Sequence, residues 1–71
     1  MDLDVVDSSM IAGIGYDPSS GTVGVEFRSN GQVWEYYDVP ETTYNELRAA
    51  GSLGKAFNAI IKGQFREARV G

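Results

Sequence analysis

The sequence predicts an α+β fold: a three-stranded antiparallel β-meander followed by two helices packed on one face, in the order β-β-β-α-α. Three observations carry this expectation. Apolar and polar residues alternate through Thr22–Arg28, turn signals flank that stretch on both sides, and the hydrophobic period becomes helical after Pro40. With 71 residues, one domain is expected over 1–71, with its ordered core at about 8–66.

Residues 1–8 are acidic and polar and read as a loose lead-in. The first strand is expected over 10–17, where apolar side chains and two glycines run with few helix formers. Asp17-Pro18-Ser19-Ser20-Gly21 is a turn, since each of its residues favours one. The second strand, 22–28, puts Val23, Val25 and Phe27 on one face, against Thr22, Glu26 and Arg28 on the other. Asn30-Gly31 is the next turn signal, and 32–38 form the third strand. There Trp34 and Tyr36 share one face while Val33, Glu35 and Tyr37 share the other. Pro40 and Glu41 suit the start of a helix over 41–50, which Gly51 stops. Ser52 is then a good N-cap for a second helix over 53–62. Leu53, Ala56, Phe57, Ile60 and Ile61 form its apolar stripe, and Gly63 weakens its continuation through Phe65. The expected core is Val23, Val25, Phe27, Trp34, Tyr36, Tyr44, Leu47, Leu53, Phe57, Ile60 and Ile61.

Composition removes whole classes of function. There is no cysteine and no histidine, so the sequence has no thiolate nucleophile, no disulfide, no imidazole base and no imidazole metal ligand. Gly13-Ile14-Gly15 has Pro18 where a dinucleotide fingerprint needs its third glycine. Gly54-Lys55 is followed by Ala56, not the Ser or Thr of a phosphate loop. Asp2 and Asp4 offer too few oxygens for calcium. Ser8 and Ser9 lack an activating base. No catalytic residue, cofactor or metal is expected. No apolar run approaches the roughly 20 residues of a membrane span, and the acidic start is unlike a secretory signal, so a cytoplasmic address is the expectation.

The net charge of −4 is uneven. Residues 1–40 carry −6, with Arg28 their only base, whereas residues 41–71 carry +2. On a helical wheel Lys55, Lys62, Arg66 and Arg69 cluster opposite the apolar stripe of the second helix.

Ordered motifs then resemble a known family. They are Val6-Asp7-Ser8-Ser9-Met10-Ile11, Ile14-Gly15-Tyr16-Asp17, Val25-Glu26-Phe27, Tyr36-Tyr37-Asp38-Val39-Pro40, Tyr44, Ser52-Leu53-Gly54, and Phe57-Asn58 with Ile61. Together they resemble the KTSC domain, a family named for its occurrence at the C-terminus of some lysyl-tRNA synthetases and also found as free-standing small bacterial proteins. The family's central Tyr-x-Tyr reads Trp34-Glu35-Tyr36 here, Ala56 replaces the aromatic before Phe-Asn, and Phe65 stands for a later tyrosine. The motif residues Ser8, Ser9, Tyr16, Trp34, Tyr36, Val39, Pro40, Ser52, Gly54, Phe57 and Asn58 are read as mainly structural. Ser52 is a cap, Gly54 a close-approach position and Tyr16 a closure of the sheet edge. Asn58 is expected to bond a strand or loop backbone group.

Two functions from different classes follow. The synthetase association implies a weak RNA-binding accessory module, acting through Lys55, Lys62, Arg66 and Arg69. Three or four phosphate contacts would give a log–log salt slope of about −2 to −4. The alternative is a protein-interaction or oligomerisation module that uses the open sheet face and an edge strand.

Overall fold

The computed structural model describes all 71 residues. Its elements are β1 (Asp4–Val5), β2 (Ile11–Asp17), β3 (Thr22–Phe27), β4 (Val33–Tyr36), α1 (Glu41–Ala49), α2 (Leu53–Ile60) and β5 (Glu67–Arg69). The strands form one five-stranded antiparallel sheet in chain order, β1-β2-β3-β4-β5. The central meander and both helices lie where the sequence puts them. The expected three-stranded sheet is corrected to five strands, because β1 pairs with β2 and β5 pairs with β4.

The core lies between the sheet and the helices. Val23 and Val25 of β3 are fully buried, as alternation requires, and they meet Tyr36, Leu47, Phe57 and Ile61. Phe57 is the hub, with edge-to-face contacts to Phe27 at 5.5 Å and Tyr36 at 5.4 Å. Truncating so central a ring to alanine costs about 3–5 kcal/mol. Ile11, Ile14 and Val39 join this core, whereas Phe27, Trp34, Leu53 and Ile60 are only half-buried against it. The two isoleucines both point inward because the β2–β3 register shifts between Ile11 and Gly13, a β-bulge that gives Ala12 no partner.

Local chemistry sets the joints. The Ser8 hydroxyl accepts the Met10 and Ile11 amides, each at 3.2 Å, and starts β2. The Arg28 guanidinium donates to the carbonyls of Ser8, Val6 and Ile11, tying the β1–β2 loop to the end of β3. The Tyr16 hydroxyl donates to the Val39 carbonyl at 2.6 Å, and its ring stacks on Tyr44 at 5.0 Å. Tyr16 therefore fastens the end of β2 to the β4–α1 connection and to α1; β2 is an inner strand, so this is not the closure of a sheet edge that was expected. Pro40 caps α1 with extended backbone and no side-chain bond, and Glu41 and Arg48 match the helix dipole at opposite ends. α1 ends at Ala49, with Ala50 as C-cap in extended backbone, so Gly51 follows the stop instead of making it. Ser52 caps α2 as expected, its hydroxyl accepting the Lys55 amide at 3.4 Å.

α2 is shorter than the polar stripe implies. The Lys62 amide reaches back to the Phe57 carbonyl, and Gly63 turns the chain with φ 77°. Residues 66–69 therefore leave the helix direction and lie along β4. Arg66 and Arg69, placed by the wheel on the α2 polar face, belong to the β5 segment instead.

The sheet face away from the helices carries Gly13 and Gly15 on β2 and Gly24 on β3, with Gly15 directly opposite Gly24. Residues 1–3 cross this side-chain-free floor. A Cβ at Gly15 would lie 2.5 Å from the Asp2 carbonyl oxygen, and one at Gly24 would lie 2.8 Å from the Met1 sulfur. The acidic lead-in is thus a strap over the sheet that ends in β1.

Candidate functional site

The four basic residues do not form one stripe. Lys55 sits in the first turn of α2, and Lys62 lies just beyond its end, seven residues on and so on nearly the same helical face. Arg66 precedes β5 on the glycine side of the sheet. There its guanidinium covers the Tyr37 ring at 5.4 Å and pairs with Asp38 at 3.8 Å. Arg69 is in register with Trp34, so it shares the helix-side face, and its Nε donates to the Gly71 carbonyl. Tyr37 is occupied too: its hydroxyl donates to Glu35 at 3.1 Å.

What the fold does bring together is a cleft of about 490 Å³ between the β3–β4 hairpin and the end of α2. Met10, Phe27, Trp34, Tyr36 and Phe57 make its apolar wall. Ser29, Asn30, Gln32, Asn58, Lys62 and Glu67 supply its polar groups. Tyr36 is core, 3% exposed, while Trp34 is half-buried and presents itself to the cleft. The indole N–H of Trp34 donates to Gln32 Oε1 at 3.2 Å, and Asn30 Oδ1 accepts the Gln32 amide at 3.0 Å. These bonds fix the indole plane and leave the NH2 groups of Asn30 and Gln32 free to donate. Asn58 is exposed at the cleft and bonds no backbone group, which corrects the structural role expected for it. Burial, and secondarily the Glu67 carboxylate, push the Tyr36 hydroxyl up from 10.0 to about 12, so Tyr36 is a neutral wall at neutral pH.

The remaining motif residues gather elsewhere. Ser8, Ser9, Ser52 and Gly54 meet with Asp7 and Leu53 around a shallow depression of about 220 Å³ at the start of α2. A Cβ on Gly54 would meet the Met10 sulfur at 3.4 Å, an ordinary contact, so no close approach demands glycine there. A depression of about 500 Å³ near the strap is lined by Asp2, Asp17 and Glu35, a charge set that repels phosphate. Sequence reasoning missed the cleft itself. Its signal was the placing of Gln32 two residues before Trp34, since a buried indole needs an acceptor.

The family model described as KTSC domain matches residues 7–65. The chain belongs to the KTSC domain family. A crystal structure of a KTSC domain protein from Yersinia pestis is similar to it with a TM-score of 0.94 and 36% identity, covering 99% of this chain and 97% of that one. A protein of Tsukamurella paurometabola is 39% identical over 61 residues, covering 86% of this chain and 90% of that protein. A lysine–tRNA ligase of a Nostoc species is 42% identical over 60 residues, covering 84% of this chain. This KTSC domain spans only 10% of that ligase. The family thus includes small proteins of about this length as well as a region of much longer ligases.

Proposed function

We propose that this KTSC domain is a non-catalytic accessory module that binds single-stranded RNA weakly, through the cleft between the β3–β4 hairpin and α2. One observation carries the reading: an indole held by Gln32, the carboxamides of Asn30, Gln32 and Asn58, and Lys62 line one open cleft of about 490 Å³. An aromatic platform contributes about 1–3 kcal/mol per stacked base, amides bond base edges, and the ammonium neutralises a phosphate. The similarity to a region of lysine–tRNA ligases supports an RNA partner over a protein one. Against the interaction alternative, the strap lies over the β2–β3 part of the open face and β5 pairs with β4, so the outermost strands are only two and three residues long.

The test is an anisotropy titration of labelled tRNA and of an unstructured uridine RNA at low salt. Lys62→Glu weakens binding at least about fivefold, because it reverses a charge in the cleft. Arg66→Glu leaves it within about twofold, because Arg66 lies on the other face of the sheet. Absence of binding by the parent protein, or equal losses in both variants, overturns the reading and returns the domain to the protein-interaction class.

A further inference from the structure

The cleft contains one group at odds with simple phosphate attraction. Glu67, the first residue of β5, lines it together with Lys62 and makes no ion pair; the single pair in the molecule is Arg66–Asp38. Glu67 is in register with Tyr36 and so shares the helix-side face. It is exposed to solvent, and its charge opposes RNA in general.

We propose that the cleft selects guanine, with Glu67 accepting two hydrogen bonds from the base while Trp34 stacks on it; this rests on the RNA reading above. The argument is complementarity. An ionised carboxylate only accepts, and its two oxygens suit two parallel N–H donors. Among the four RNA bases, guanine alone presents adjacent N–H groups, at N1 and N2, on its Watson–Crick edge. Adenine and cytosine offer one amino group beside a ring nitrogen that itself accepts and repels the second oxygen. Uracil offers a single N–H between two carbonyls. Donors dominate the other polar groups of the cleft: the NH2 groups of Asn30 and Gln32, whose oxygens each already accept one bond, and the Lys62 ammonium, with the Ser29 hydroxyl able to donate or accept. They match the O6 and N7 acceptors on the remaining guanine edge. Asn58 can donate or accept and discriminates less.

Trp34 is the only tryptophan, so its emission reports the cleft directly. The experiment compares quenching by four RNAs of equal length at low salt: uridine alone, and uridine alternating with guanosine, adenosine or cytidine. The guanosine-containing RNA binds about tenfold more tightly than uridine alone, and the other two stay within about threefold of it. Glu67→Gln moves the two quantities in opposite directions: uridine RNA binds more tightly because repulsion is gone, and the guanosine advantage collapses. Loss of a stabilising contact would not produce that pair of changes. Equal quenching by all four RNAs, or a guanosine preference that survives Glu67→Gln, overturns the guanine assignment and leaves RNA binding standing. No quenching by any RNA overturns both.

Discussion

Tyr36 shows how one side chain serves both packing and the cleft. It is buried against Phe57 and opposite Val23 in register, yet it also lines the cleft beside Glu67. Its hydroxyl titrates near 12 in the folded protein and at 10.0 when exposed, chiefly because burial disfavours the phenolate. A raised folded value means that the stabilisation is complete below pH 10 and is lost as pH rises towards 12. Denaturant midpoints measured across that window fall steeply for the parent and flatten in Tyr36→Phe. An equally steep fall in the variant assigns the alkaline loss to Tyr44 or Tyr37, whose hydroxyls are also raised by burial. The identity of Tyr36 as core was readable from alternation alone, since it lies two residues from Trp34 on the face shared with the helices. The fate of Trp34 was not readable, because half-burial depends on where α2 ends.

At the scale of elements, the meander and helices were legible and the two outer strands were not. β3 has β-branched residues at period two, and α2 has its stripe and its serine cap, so local preference and tertiary packing agree there. Glu67-Ala68-Arg69 consists of residues with good helix propensity, and only pairing to β4 makes them a strand. Continuing the wheel past Gly63 is what merged Arg66 and Arg69 with Lys55 and Lys62. Asp4-Val5 is too short for any period to show. Its counterpart was visible, however: Gly13 and Gly15 alternate on one face and leave a floor that something has to cover. The strap gives a graded prediction. Gly15→Ala drives a Cβ into the Asp2 backbone, whereas Gly24→Ala meets only the flexible ends of Met1 and Leu3. Amide hydrogen exchange at residues 2–5 therefore rises strongly in Gly15→Ala and little in Gly24→Ala. Equal protection in both would mean that the strap does not rest on that floor in solution.

For the whole molecule, the two faces differ in their balance of charge. The strap side carries Asp2, Asp17 and Glu35 around its depression, whereas the cleft carries Lys62 and Glu67, one charge of each sign. With Arg66 removed from the set, two or three cations remain for phosphate contacts. The log–log dependence of RNA affinity on salt is therefore about −1.4 to −2.1 at roughly −0.7 per single-strand phosphate, shallower than four aligned cations would give. Anisotropy titrations at graded salt measure it, and a slope near −3 would restore the continuous stripe. The order of strands in the sheet also sets a sequence of events in folding. β1 to β4 pair as neighbours through short connections, so those contacts close early. β5 reaches β4 only across both helices, the one non-local pairing in the sheet, and must wait for them to dock. The strand that brings Glu67 to the cleft is thus the last to arrive, and with three residues it is held by few ladder bonds. Detachment of β5 alone would therefore take Glu67 out of the cleft wall while the meander stays folded.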